Sequence, residues 1–223
     1  MKHTTGSILM LLLLPMVVAG CRKEDPEEVD LGYGYYPNVV GSWIEYQVDS
    51  IGRDDAQGVH DTASYRLKEK VVEAYVDPEG RLAYRIHRMV LNAEDVWVVR
   101  DVWTRTKDNF YAEATEENLR RLKMSFPVRD GRAWNMNIYN VEEEVEVAHR
   151  QVGVAFSIGG YTFPKTTLVQ STFEPNFVDT LIFQERYADA VGMVYKHVQV
   201  TNTQFNGTQG TYLTMALVAY GNE

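Results

Sequence analysis

The residues that could do metal or acid–base chemistry are sparse in this chain of 223 residues. Four histidines follow the leading segment, and none lies within five residues of another; they are His60, His87, His149 and His197. Metal ligands commonly come in closely spaced pairs, whereas a lone histidine on a strand more often packs against neighbours or faces water. The sequence therefore predicts no metal site and no cofactor.

Motifs for nucleophilic catalysis and phosphate binding are also missing from the sequence. It contains no Gly-x-Ser-x-Gly elbow, Walker loop, dinucleotide fingerprint or EF-hand loop. Catalytic triads assemble from residues that are far apart along the chain, so a hydrolase with a non-local site stays open as an alternative. The balance favours a protein that is not an enzyme, without excluding one.

The single cysteine, Cys21, lies where it could carry a membrane anchor. Residues 1–20 have a basic start and an apolar run that is too short to cross a bilayer comfortably, which is the pattern of a signal peptide. The run ends in Val18-Ala19-Gly20 directly before the cysteine. This arrangement resembles the bacterial lipobox, which implies cleavage before Cys21 and acylation of its thiol, for example with palmitate. Two or three acyl chains give lasting attachment to a membrane.

Residues 21–34 are predicted to form a flexible acidic tether, because residues 22–30 are charged, contain a proline and show no apolar period. The stretch Cys21-Arg22-Lys23-Glu24-Asp25 also resembles the signals that send Bacteroidota lipoproteins to the cell surface. We therefore expect the protein in the outer membrane, at the cell surface rather than on the periplasmic face.

The overall charge argues against a nucleic-acid partner. Lys and Arg number 22 against 31 Asp and Glu, so the net charge is -9, and a chain of this sign repels phosphate. A hydrophobic content of 45% argues against a disordered chain. The sequence thus indicates a folded, acidic domain.

The four tryptophans are candidates for an aromatic ligand pocket: Trp43, Trp97, Trp103 and Trp134. All lie in or beside predicted strands, where aromatic side chains ordinarily pack in the core or across strands. The alternative is that they line the concave face of a curved sheet. Residues 96–103 are apolar on both faces, which predicts a strand that is covered on both sides.

The elements that must position these residues are mostly strands. Ile44, Tyr46 and Val48 alternate with polar residues, and turn signals such as Asp77-Pro78-Glu79-Gly80 recur at short spacing. We expect one all-β domain over residues 35–223, with one or two short helices, built as a curved antiparallel sheet or a barrel-like meander.

Two segments have patterns of their own. Residues 115–124 are predicted to form a helix, since Thr115 could cap it, with acids in the first turn and bases in the last. Residues 141–147 are predicted to form a half-buried strand that presents glutamates to water and valines to the core. The strand period makes a metal or acid–base role for these glutamates the less favoured interpretation.

Three Asp-Ser/Thr-aliphatic triplets, at Ser50, Thr62 and Thr180, resemble the O-glycosylation site of Bacteroidota. Glycans on these hydroxyls would be bulky surface additions to an exported protein.

Two longer stretches resemble a family of bacterial lipoproteins of the Bacteroidota type. Residues 35–46, Tyr-Tyr-Pro-Asn-Val-Val-Gly-Ser-Trp-Ile-Glu-Tyr, are similar to its "YYP…VG-x-W-x-Y" opening. Residues 187–196 are similar to its "Y-A-x-G-V-G-x-V-x-K" segment, with Ala190 in place of the usual glycine. The resemblance implies an all-β fold and brings no catalytic residues.

Three functions follow as hypotheses. The first is a lipid-anchored envelope protein that acts as a non-enzymatic binding or accessory module, with another envelope protein, a glycan or an apolar ligand as its partner. The second is a carrier of a lipid or other apolar ligand inside the curved sheet. The third is the hydrolase with a non-local site.

Overall fold

The computed structural model describes residues 29–223, so the predicted signal peptide 1–20 and Cys21 lie outside the described residues. One 3₁₀ turn at Tyr33–Tyr35 precedes twelve strands. The strands are β1 Ser42–Asp54, β2 Val59–Val76, β3 Leu82–Leu91, β4 Trp97–Lys107, β5 Tyr111–Glu116, β6 Leu119–Ser125, β7 Ala133–Asn135, β8 Glu146–Ile158, β9 Tyr161–Ser171, β10 Asp179–Ala188, β11 Gly192–Gln204 and β12 Gly207–Asn222.

The twelve strands form a single antiparallel sheet in the order β6-β5-β4-β3-β2-β1-β12-β11-β10-β9-β8-β7. Its two end strands approach each other, because the Leu122 amide donates a hydrogen bond to the Met136 carbonyl at 2.8 Å. The Trp134 indole N–H donates to the Leu122 carbonyl at 2.9 Å across the same seam. The sheet is thus curved and barrel-like, which confirms the predicted all-β fold.

The predicted helix over residues 115–124 is wrong, since these residues form the end of β5, a turn and most of β6. Glu117 and Asn118 have φ values of 49° and 64°. Two consecutive left-handed residues make the turn whose twist matches a two-stranded hairpin. The acids and bases that suggested a helix dipole pair across the hairpin instead, with Lys123 Nζ 2.9 Å from Glu116 Oε1.

The predicted strand over residues 141–147 is also wrong, because the chain is a loop until β8 begins at Glu146. Val141 is 95% exposed. Asparagine side chains supply the hydrogen bonds that a neighbouring strand would otherwise give: Asn137 Nδ2 donates to the Glu143 carbonyl at 2.7 Å, and Asn140 Nδ2 donates to the Arg120 carbonyl at 2.9 Å. Local side-chain bonds of this kind compete with a sheet ladder.

Residues 96–103 are predicted to form a strand that is covered on both sides, and this prediction is wrong for β4. Val98 and Val102 are 49% and 53% exposed, whereas Trp103 on the same strand lines the interior. Within residues 29–223, no helix is long and apolar enough to cross a membrane.

The segment before β1 closes one end of the sheet. Tyr35 and Tyr36 are almost fully buried there, and Lys107 Nζ donates to the carbonyls of Tyr33 and Tyr36 at 3.1 and 2.8 Å. The Ala190 amide donates to the Gly34 carbonyl at 2.9 Å. The Tyr46 hydroxyl donates to the Met193 carbonyl at 2.8 Å, so the two stretches that carry the family resemblance pack against each other.

Candidate functional site

Charged residues occupy interior positions on several strands. Glu69 lies between Leu67 and Val71 on the inward face of β2 and is buried. It pairs in register with Arg88 of β3, which pairs with Asp101 of β4. A buried charge is costly unless it is paired and hydrogen-bonded, so each of these groups needs partners inside the sheet.

The first interior network is built around Glu69. Arg88 Nε lies 3.2 Å from Glu69 Oε1, and Arg105 Nη2 lies 2.7 Å from Glu69 Oε2. Arg88 Nη1 also contacts Asp101 Oδ2 at 3.0 Å. The Arg88 guanidinium lies 3.7 Å from the ring centre of Trp103. Stacking and ion pairing together hold this guanidinium in place against the wall of the interior.

The second network is built around Glu185, which is fully buried. Its Oε1 accepts from Lys123 Nζ at 2.7 Å and lies 2.9 Å from Lys196 Nζ. Its Oε2 accepts from the Tyr187 hydroxyl at 2.5 Å. Burial opposes ionisation, but the two lysines outweigh it and hold the pKa of Glu185 well below its usual range. The carboxylate therefore stays charged throughout the physiological pH range.

The phenols around this network remain protonated. Burial raises the pKa of Tyr36 to about 12. Burial, with the charge of Glu185 added to it, raises the pKa of Tyr187 well above its usual value. Both tyrosines are therefore hydrogen-bond donors rather than acids in the interior.

A cavity of about 260 Å³ lies between the two networks and is called the central cavity here. Its aromatic and apolar walls include Tyr36, Tyr65, Trp103, Tyr187, Met193, Leu213 and Met215. Its basic lining residues are Arg88, Arg100, Arg105, Lys123 and Lys196, and its acidic ones are Glu69, Glu116 and Glu185. Among these lining residues only Arg100 is exposed, so it marks where the cavity meets solvent.

The residues that line the central cavity are more basic than acidic, although the whole chain is acidic, with a net charge of -9. Arg100 Nε lies 2.8 Å from Asp101 Oδ2, the carboxylate that also contacts Arg88. Five basic residues line the cavity against three acidic ones. Two more carboxylates, those of Asp101 and Glu117, contact Arg88 from outside the lining at 3.0 and 3.9 Å. The basic groups on the lining itself are the ones that a small anion inside the cavity would meet.

The four predicted pocket tryptophans are not brought together. Trp103 lines the central cavity. Trp43 and Trp97 lie 4.6 and 4.4 Å from Lys68 Nζ, one on each side of it. Trp134 is buried at the seam of the sheet, 4.7 Å from the His149 ring. One of the four therefore belongs to the candidate site.

The histidines are dispersed, and none of His60, His87, His149 and His197 lines the central cavity. His149 is fully buried, with Nε2 2.8 Å from the Ser125 carbonyl oxygen. Burial lowers the pKa of His149 to about 4. Within residues 29–223, no group of three or more His, Cys, Asp or Glu is placed to hold a metal ion.

The candidate glycosylation residues lie on strands. Thr62 is exposed on β2, and Ser50 is half-buried on the paired part of β1. Thr180 is half-buried near the start of β10. Modification of these hydroxyls stays a prediction, as does acylation of Cys21.

The sequence reasoning missed the interior charges, although the sequence carries a signal for them. Glu69, Glu185 and Lys196 each alternate with apolar residues on the inward side of a strand. A charged residue at such a position faces the interior whenever its apolar neighbours do.

Comparison with known proteins adds a likeness in structure. No protein-family description matches the chain, and no curated protein matches it. Two solved structures are similar to it at 12% sequence identity, each alignment covering 84% of this chain and 98% of the other. They are a candidate exported protein with a YmcC-like fold from Bacteroides fragilis, with a TM-score of 0.42, and a candidate lipoprotein from Parabacteroides distasonis, with a TM-score of 0.44.

Proposed function

We propose that this protein is a lipid-anchored, non-enzymatic binding module of the cell envelope, and that its central cavity binds a small organic anion. The observation that carries the proposal is the cavity itself, with basic groups in excess and aromatic walls. Small-molecule sites combine a mostly apolar enclosure with a few fixed polar groups. The arrangement fits a carboxylate attached to an apolar or aromatic body.

The cation that would meet the ligand first is Arg100. Arg88, Arg105 and Lys123 are held by the carboxylates of Glu69, Glu116 and Glu185. Arg100 has Asp101 as a carboxylate partner, but that carboxylate is shared with Arg88. An anionic ligand would therefore give the Arg100 guanidinium a second negative partner, because its one carboxylate partner is divided between two arginines.

The anchoring part of the proposal rests on the leader and on Cys21. Acyl chains on Cys21 would hold the protein in the outer membrane, and the stretch that follows the cysteine favours the cell surface. Among the described residues that follow, Tyr33 and Tyr36 are held to the sheet by Lys107 Nζ, which donates to both of their carbonyls.

Calorimetric titration of the full chain in lipid nanodiscs tests the cavity. We expect benzoate to bind and the matched cation benzylamine not to bind. Arg100→Gln should weaken benzoate binding about tenfold, the equivalent of one lost charge-assisted hydrogen bond of about 1.4 kcal/mol. Arg129→Gln, a change at an exposed arginine outside the cavity, should leave binding unchanged. Equal binding of benzoate and benzylamine would refute an anion site.

A further inference from the structure

A second hollow of about 310 Å³ adjoins the central cavity and is called the upper cavity here. The two share Glu116, Lys196 and Leu213 as lining residues. Lys196 thus borders both spaces, and its Nζ is held by Glu185 on the central side. A ligand that passes Lys196 has room on either side of it.

The wall of the upper cavity is mainly apolar. Its apolar lining residues include Met136, Val145, Leu181, Phe183, Val198 and Val200. Its polar ones are Arg121, Asn137 and Glu142, in addition to Glu116 and Lys196, which it shares with the central cavity. An apolar enclosure of this kind favours a hydrocarbon group, because hydrocarbon leaves water on entering it. The lining of the interior therefore changes from charged to apolar on passing Lys196 from the central to the upper cavity.

A groove of about 850 Å³ adjoins the upper cavity. The two share the lining residues Asn137, Glu142, Val145, Leu181 and Val200. Its rim carries Glu142, Glu143, Glu144 and Asp179. Four carboxylates repel a second anionic group, so a ligand that spans the interior would carry its negative charge at one end only.

The dimensions fit an extended chain. Lys196 and Asn202 both lie on β11, six residues apart, and Asn202 lines the open groove. A strand rises about 3.3 Å per residue, so this distance is roughly 20 Å along the sheet. The hollows lined by β11 therefore extend over about 20 Å from Lys196 to the acidic rim.

We propose that the ligand is a single-chain amphiphile, with one anionic head in the central cavity, where Arg100 meets it, and one acyl tail that passes Lys196 into the upper cavity. This inference rests on the proposed anion site and adds the tail. Free fatty acids and lysophospholipids with an anionic head share this chemistry. Mass spectrometry of the organic extract of the purified protein distinguishes the two sources.

A tail-length series tests the inference. Titration of the full chain in nanodiscs with butyrate, hexanoate and octanoate, with empty nanodiscs as the blank, should show affinity rising about fourfold for each buried methylene. The rise from butyrate to octanoate is then on the order of 200-fold. Octylamine, which has the same tail and the opposite charge, should bind far more weakly than octanoate.

A matched pair of variants locates the tail. Val198→Trp fills the upper cavity, whereas Gln199→Trp places the same ring on the opposite face of β11. We expect Val198→Trp to reduce the octanoate affinity to that of butyrate and to leave butyrate binding unchanged, and Gln199→Trp to change neither.

The outcomes separate the two proposals. Absence of binding for every anion refutes both. Binding of butyrate and octanoate with equal affinity overturns the amphiphile and leaves the anion site standing. Tail-dependent binding that Val198→Trp and Gln199→Trp reduce equally overturns the upper cavity as the seat of the tail. The length series on the unaltered chain keeps the inference falsifiable even if Val198→Trp fails to fold.

Discussion

Removal of the buried ammonium group of Lys123 should destabilise the domain strongly. Lys123 is 5% exposed and lies 2.9 Å from Glu116 and 2.7 Å from Glu185. The Lys123→Met substitution keeps most of the side-chain volume and deletes the charge. Glu185 then keeps Lys196 as its partner at 2.9 Å, whereas Glu116 loses its ion pair with Lys123. The network around Glu185 is left with two carboxylates, of Glu116 and Glu185, against the one ammonium group of Lys196.

The expected loss in the free energy of unfolding is about 3–5 kcal/mol, the usual cost of breaking a buried ion pair from one side. Glu116→Gln alone should also destabilise, because it leaves an excess positive charge. The double variant restores neutrality and keeps the Glu185–Lys196 pair intact. Its loss should therefore be smaller than the sum of the single losses by about 1–3 kcal/mol.

Urea unfolding of the full chain, followed by tryptophan fluorescence, measures these free energies at neutral pH. Arg129→Met serves as the control, since an exposed arginine away from the networks should change stability by less than about 0.5 kcal/mol. Additive losses, with no coupling between Lys123 and Glu116, would contradict the reasoning. So would a Lys123→Met variant as stable as the unaltered protein.

Three further predictions concern the turn, the buried histidine and the anchor. Ala190 has a φ of 60° in the turn before β11, so Ala190→Gly should raise the unfolding free energy by about 0.5–1 kcal/mol in the same urea assay. Because the pKa of His149 falls from 6.5 to about 4 on folding, the unfolded chain takes up the proton first as the pH drops. The free energy of unfolding should therefore decline by up to about 3 kcal/mol between pH 7 and pH 4. The His149→Gln variant should lack this part of the decline. If its unfolding free energy falls as much as that of the unaltered protein, His149 is not the source. Cys21→Ala should move the protein from the membrane fraction to the soluble or unprocessed fraction. Mass spectrometry of the N-terminal peptide should find acyl chains only when Cys21 is present. If the mature Cys21→Ala chain stays attached to the membrane, the anchor is disproved.

The meander itself was predictable because strand alternation and turn residues are local features. Ile44, Tyr46 and Val48 alternate with polar residues, and all three are buried on β1 as their period predicts. The hairpin at Glu117 and Asn118 was not predicted, because its acids and bases also satisfy the electrostatic pattern of a helix. The left-handed turn that decides between the two depends on two residues alone.

The candidate site was less predictable than the sheet. Trp103 lines the central cavity, whereas Val102, its neighbour on β4, is 53% exposed. Residues 96–103 are apolar on both faces, so the pattern of this strand alone does not show which face turns inward. The curvature of the whole sheet decides it.

The sequence by itself determined the class of fold, the acidic charge and the position of the one cysteine, because composition and period-two alternation are properties of the chain alone. Only the tertiary structure decided that Glu69, Glu185 and Lys196 share an interior with Arg88 and Lys123. Glu69 and Arg88 are register partners on neighbouring strands, and so are Glu185 and Lys196. These two pairs and Lys123 of β6 come together only because the sheet curves back on itself. Coulombic attraction within a few ångströms, in a space from which most water is excluded, then turns scattered charges into a site.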